Sequence, residues 1–231
     1  MAAVRLQTYN VRSLRDDAAA VARVVRGNAP DVLCLQEVPR FRAWRLRRRR
    51  LAHACGMRIA AGRRACGLAV LTGPRVRRTA REFHLLTPDP GLHRRALAIA
   101  VLEVGGARLI AASTHLDLRP EPRLRHVHEI LARLDRARAR YAAPVVLAGD
   151  FNEEPGGEAW SLLADHFQDA CEAAPTGEEP TFPARGPTRR IDAVFADPAV
   201  RVTACGVPPD ETGDYARATD HRPVLADLRL G

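Results

Sequence analysis

Apolar and polar residues alternate from Val4 to Tyr9, the two-residue period of a half-buried strand. Ser13 stands three residues before Asp16 in a pattern like a capping box. The alanine-rich stretch that follows, to Arg26, predicts a helix closed near Gly27 and Pro30. The continuous apolar run from Asp31 to Gln36 reads as a buried strand. Residues 40–55 predict a helix with Phe41, Trp44, Leu51 and Ala52 turned inward. Strand-like runs follow at 67–72, 95–104 and 108–114, and Gly105-Gly106 predicts a hairpin turn between the last two. Leu124, Val127, Leu131 and Leu134 fall at helical spacing, predicting a helix over 121–140 with one buried stripe. Pro144 to Ala148 predicts another buried strand, 157–166 a short helix, and 173–189 a loop rich in Pro, Gly and Glu. Strands at 190–196, 200–205 and 223–229 close the chain. Helices and strands alternate early, while hairpins come in the middle and at the end. That order predicts an α/β fold of mixed sheets covered by helices. With no repeat and no linker, one domain over residues 1–231 is expected.

Charge adds one local feature. The chain has 36 basic residues, all of them arginine, and a formal net charge of +9. The absence of lysine beside so much alanine points to a GC-rich coding sequence more than to selection for arginine. Even so, Arg40, Arg42, Arg45, Arg47, Arg48, Arg49 and Arg50 crowd one segment that holds no acid, a patch able to meet phosphate groups. A solvated helix face is the plainer reading of that run, and packing the plainer reading of Trp44 within it.

The five cysteines are scattered and show no Cys-x-x-Cys spacing. This argues against a disulfide framework or a zinc knuckle and fits a reducing cytoplasm; Cys34, inside an apolar run, is expected to be a small core residue. No signal-like N-terminal core is present, and no stretch approaches the ~18 apolar residues of a membrane span. A cytoplasmic monomer without stable membrane insertion is expected.

Candidate chemistry lies at the ends of the apolar runs. Tyr9-Asn10-Val11, Gln36-Glu37, Thr114-His115-Leu116, Gly149-Asp150-Phe151-Asn152, Arg190-Ile191-Asp192 and Ala218-Thr219-Asp220-His221 each sit at or just past one. Six polar clusters at strand ends suggest one site assembled from across the chain. Asn10, Glu37, Asp150, Asn152, Asp192 and Asp220 are oxygen donors of the kind that suit a hard cation, Mg²⁺ or Mn²⁺, while zinc would favour more His or Cys. Such an ion could polarise a phosphoryl oxygen and stabilise a leaving alkoxide. A histidine beside a carboxylate, as His221 with Asp192, can hold one tautomer and act on a proton or on developing negative charge.

These blocks, in this order, resemble the endonuclease/exonuclease/phosphatase superfamily over nearly the whole chain. Thr8-Tyr9-Asn10-Val11 resembles its first block, Leu35-Gln36-Glu37 its metal-binding block and Gly67 to Thr72 a strand block. Ser113-Thr114-His115-Leu116 resembles the histidine block, and Gly149-Asp150-Phe151-Asn152 is the strongest match. Thr181-Phe182 with Arg190-Ile191-Asp192 resembles the penultimate block, and Thr219 to Val224 the last. The resemblance implies a four-layer sandwich of two mixed β-sheets flanked by helices. It implies a Mg²⁺-dependent phosphoesterase acting by in-line attack of water on a small-molecule or lipid-headgroup ester, with a nuclease as the alternative and a dead nucleic-acid-binding module behind both. By the same resemblance Glu37 is the principal metal ligand, with Asn10 and Asp220 nearby. Asp150 orients the attacking water or holds a second metal, Asn152 and His115 contact the scissile phosphate, and His221, oriented by Asp192, stabilises or protonates there. Arg12 and His115 depart from the apurinic-site branch, which usually carries an acid and a tyrosine at these places.

Several residues stay open at this level. Arg190 is equally a partner for an acid or a phosphate contact. Arg123 and Arg125 fit a family position or a solvated helix start equally well. His53, His126, His128 and His166 match no block and are expected to be surface or core residues.

Overall fold

The computed structural model describes residues 1–231. Twelve strands form two sheets: β1 (Ala2–Asn10), β2 (Val32–Gln36), β3 (Arg58–Ala61), β4 (Ala69–Thr72), β5 (Arg77–Leu85), β6 (Ala96–Val104), β7 (Ala107–His115), β8 (Val145–Asp150), β9 (Gln168–Asp169), β10 (Asp192–Ala196), β11 (Arg201–Gly206) and β12 (Val224–Leu230). The helices are α1 (Ala18–Asn28), α2 (Trp44–Ala54), α3 (Pro120–Tyr141), α4 (Glu158–Ala164), α5 (Ala170–Ala173) and α6 (Tyr215–Ala218). One sheet runs β11-β12-β1-β2-β4-β3 and the other β5-β6-β7-β8-β10-β9. Each has one parallel pair at its centre, β1 with β2 and β7 with β8, among antiparallel neighbours.

Three apolar layers hold the sandwich. Val4, Leu6, Cys34, Ala111, Val146, Val194 and Leu228 pack between the sheets. Val127, Ile130, Leu134, Trp160 and Leu163 bury α3 and α4 against the second sheet. Val21, Val25, Leu51 and Tyr215 bury α1, α2 and α6 against the first. Cys34 is fully buried, and burial pushes its thiol up to about 12. No helix is long and apolar enough to cross a membrane.

Local details differ from the sequence reading where tertiary contacts prevail. Helix α1 is capped by Asp17, whose carboxylate accepts the amides of Ala19 and Ala20, rather than by Ser13 with Asp16. Ser13 instead lies in a short 3₁₀ turn at φ 57°. Helix α2 starts only at Trp44, and Phe41 is 65% exposed rather than inward. Trp44 is half-buried, and its ring is flanked by the guanidiniums of Arg45 and Arg48 at 4.7 and 5.0 Å. Arg48 takes an inward place beside Leu51 and Ala52. Its guanidinium donates to the carbonyls of Pro39 (2.8 Å), Arg63 (2.8 Å) and Leu68 (3.3 Å), and burial lowers its pKa to about 10.

The arginine run is therefore not one solvated face. Arg48→Gln is expected to strand three carbonyls and cost about 2–4 kcal/mol. Arg49→Gln and Arg50→Gln, both exposed, should stay within about 0.5 kcal/mol of the parent. Equal midpoints for all three in chemical denaturation would refute this structural role for Arg48.

Candidate active site

Both parallel pairs end at the same mouth. Asn10 closes β1 opposite Gln36 at the end of β2, and His115 closes β7 opposite Asp150 at the end of β8. The antiparallel neighbours run the other way, so their starts reach the same mouth: Asp192 opens β10 opposite Asp150, and His221 lies just before β12. Six clusters spread along the chain converge through this topology alone.

Beneath the mouth a polar brace joins the sheets. Thr8 donates to Gln36 Oε1 (3.3 Å), Gln36 donates to Ser113 Oγ (3.1 Å), and Ser113 donates to the Leu35 carbonyl (3.4 Å). Gly149 lets β8 approach β7: a Cβ there would lie 2.2 Å from the Thr114 carbonyl oxygen. Gly149→Ala must push the strands apart directly below His115 and Asp150. The expected cost is about 3 kcal/mol, the upper end for overpacking, or a melting temperature about 6–12 °C lower. A melting curve superimposable on the parent would contradict this close approach.

Asp150 is the hub. Its Oδ2 accepts from Asn10 Nδ2 at 2.9 Å and faces His115 Nε2 at 3.4 Å and His221 Nε2 at 3.7 Å, while Oδ1 accepts the Asn152 amide at 3.0 Å. His221 Nδ1 meets Asp192 Oδ2 at 2.8 Å. Asp192 is itself fully buried, with Oδ1 lacking any hydrogen-bond partner. The Asp192 backbone amide donates to Thr181 Oγ1, and the Phe182 ring packs 5.0 Å from the His221 ring.

The two imidazoles are driven apart in charge. Burial holds His115 neutral, with its pKa near 3; Asp150 opposes this, and the nearby Arg95 and His221 reinforce it. Burial also works against a charged His221, but Asp192 and Asp150 outweigh it and raise the pKa to about 10. At neutral pH the site thus holds one imidazole and one imidazolium on a single carboxylate, the separation expected of groups with distinct acid–base roles.

Glu37 sits just past β2 in the left-handed region at φ 51°, an uncommon place for a non-glycine residue. Its carbonyl accepts the Ser13 amide and its Oε1 accepts Asn10 Nδ2 at 3.3 Å. Asn152, at φ 52°, donates its amide to the Leu116 carbonyl. Glu37, His115, Asp150, Asn152 and His221 line one cleft of about 380 Å³. Asn10 and Asp192 stand buried behind it. Asp220 turns to a neighbouring depression, where Arg12 Nε lies 3.2 Å from its carboxylate.

The donors fit a hard cation: Glu37 and Asp150 offer carboxylate oxygens on the cleft wall, with the Asn10 amide between them. Asp150, Asp192 and His221 also bring one ligand atom each within 4.8 Å of one another. Asp192 Oδ1 is the unsatisfied acceptor there, although the short bond to His221 already engages its other oxygen.

Some site residues escape sequence reasoning. Arg123 is no solvated helix start: it is buried, binds Glu153 Oε1 at 2.8 Å, and donates to the carbonyls of Asp117, Leu118 and Asn152. It thus pins the loops that carry Asn152 and Leu118. Arg190 grips both oxygens of Asp169 at 3.0 and 2.9 Å and lies 4.8 Å over Trp160, so it is the partner of an acid. His126 is buried against the Thr87 carbonyl, and His53, His128 and His166 are exposed away from the cleft. Arg15, His93, Arg94, Arg95 and Leu118 line the cleft without belonging to any block; the run His93-Arg94-Arg95 in a Pro/Gly-containing loop was the only available signal.

Two six-stranded mixed sheets within helices, with this mouth, define a DNase-I-like α/β sandwich. The chain belongs to the endonuclease/exonuclease/phosphatase family, whose profile matches residues 8–221, and so to a superfamily of phosphoesterases. An endonuclease/exonuclease/phosphatase from Bacteroides vulgatus is 21% identical with a TM-score of 0.85, covering 100% of both chains. A mannosyl-6-phosphatase from Bacteroides thetaiotaomicron is 17% identical with a TM-score of 0.86, covering 98% of this chain and 100% of the other. Truncated Caenorhabditis elegans TDP2 is 23% identical with a TM-score of 0.74, covering 98% and 97%. At these identities the likeness is one of fold. No curated protein matches the sequence.

Proposed function

We propose that this protein is a divalent-metal-dependent hydrolase that cleaves phosphate esters of small molecules or lipid headgroups by in-line attack of water. The observation that carries the reading is Asp150 in contact with Asn10, a neutral His115 and a charged His221 at the wall of an open cleft. The mannosyl-6-phosphatase activity named for one structural neighbour is consistent with it.

In this reading the carboxylates of Glu37 and Asp150 would hold Mg²⁺ or Mn²⁺, with Asn10 joining through Oδ1 only by giving up the Arg12 amide, and the ion would supply charge stabilisation at the phosphoryl and leaving oxygens. Asp220 joins that set only by giving up Arg12. Asp150 orients the attacking water. His115 and Asn152 bind the scissile phosphate, His115 through a ring already neutral. His221 is oriented by Asp192 at Nδ1, which leaves Nε2 to donate to the developing negative charge. We take the working unit to be a cytoplasmic monomer.

A nuclease is the second reading, favoured by the arginines around the cleft. Assays with Mg²⁺ or Mn²⁺ on p-nitrophenyl phosphate, bis-p-nitrophenyl phosphate, mannose 6-phosphate, inositol phosphates, sphingomyelin and plasmid DNA separate the two. Turnover of a small ester with intact plasmid is expected. Plasmid cleavage at a higher kcat/KM would favour the nuclease, and no turnover of any of them would defeat both.

A further inference from the structure

Four guanidiniums line the cleft, Arg15, Arg40, Arg94 and Arg95, from three segments distant in sequence, against two carboxylates, Glu37 and Asp150. Arg95 is committed to Asp117 at 3.4 Å, whereas Arg15, Arg40 and Arg94 form no ion pair. Arg40 lies 5.2 Å over the ring of Phe41, and the rim is otherwise apolar at Phe41 and Leu118, which are 65% and 74% exposed. A concave wall carrying surplus charge of one sign concentrates anions of the other. Guanidiniums are also the side chains best matched to phosphate oxygens. A phosphate monoester brings at most about two negative charges, which the His221 imidazolium and the proposed divalent ion would meet. The free arginines stand beyond that need.

We propose that Arg15, Arg40 and Arg94 form a subsite for a second anionic group, so that the preferred substrate is a small phosphate ester carrying a further phosphate beyond the scissile one. This rests on the phosphoesterase reading of the cleft. A polynucleotide fits the observations less well, because no arginine of α2 lines this cleft. Arg47 and Arg48 donate to backbone carbonyls. Arg45, Arg49 and Arg58 line a different groove beside Trp44. The guanidiniums of Arg45 and Arg48 already lie 4.7 and 5.0 Å from the centroid of the half-buried Trp44 ring, where a base would have to compete with them.

The test is calorimetric titration of the metal-stripped protein with inorganic phosphate and with pyrophosphate. Pyrophosphate is expected to bind at least about tenfold more tightly, the least that one added charge-assisted contact supplies. The double variant Arg40→Gln/Arg94→Gln, checked for native circular dichroism, should lose most of that preference. Arg49→Gln/Arg58→Gln removes the same charge from the other groove and should keep it within about twofold, since neither residue lines the cleft and exposed charges are screened by salt. The proposal falls if the parent shows no preference, if the cleft variant retains it, or if the control pair loses it equally. It also falls if a ten-base-pair duplex displaces pyrophosphate at lower concentration than fresh pyrophosphate does. No turnover is measured, so failure here is distinct from failure of the hydrolase reading: a protein inactive on every ester could still show the preference, and an active one could lack it.

Discussion

Replacing His221 with alanine is expected to lower kcat on bis-p-nitrophenyl phosphate by about 10²–10⁴-fold, the range of a lost acid–base group. The imidazolium exists because two carboxylates surround it: Asp192 at 2.8 Å on Nδ1 and Asp150 at 3.7 Å from Nε2. Removing the ring leaves Asp192 buried with neither oxygen partnered, which costs stability of about 3–5 kcal/mol as well. The variant must therefore be assayed below its own melting temperature. Asp192→Asn keeps the volume and an acceptor for Nδ1 but gives up the charge that favours the imidazolium, so an equal or smaller loss of kcat is expected. A folded His221→Ala protein with kcat near that of the parent would remove the imidazole from the mechanism.

Glu37→Gln is expected to raise the Mg²⁺ concentration needed for half-maximal rate by more than about 100-fold, beyond the 10–100-fold typical of groups behind a metal ligand. The fold should survive. Glu37 is half-buried at the sheet mouth, the only side-chain hydrogen bond it receives comes from Asn10 at 3.3 Å, and a glutamine oxygen can accept that bond too. Circular dichroism melting separates the two effects. An unchanged Mg²⁺ dependence in the variant would displace Glu37 from the metal site.

The residues to which we assign this chemistry were legible because each closes or opens a strand with a strong apolar signature. β2 and β8 are buried along their whole length, and their continuous apolar runs end in Gln36-Glu37 and Asp150. Two of the edge strands left no such mark. β3 and β5 lie at the outer edges of the two sheets, and β5 exposes Arg77, Arg78 and Arg81, so its sequence carries no apolar run. Buried arginines were hidden for a different reason. In a chain whose only long cation is arginine, the sequence around Arg48 or Arg123 matches that around exposed neighbours such as Arg49 or Arg125. Only the carbonyls they reach, brought close by distant segments, set them apart. The cleft rim failed to show for the same reason, since Arg15, Arg40 and Arg94 meet only once the two sheets are packed.

The most direct measurement is the rate of bis-p-nitrophenyl phosphate hydrolysis by one preparation in EDTA, then after excess Mg²⁺ or Mn²⁺ is restored. The proposed site requires activity to vanish with the chelator and return with the ion, because the carboxylates of Glu37 and Asp150 are placed to hold it rather than to act without it. Full activity in EDTA would contradict that account.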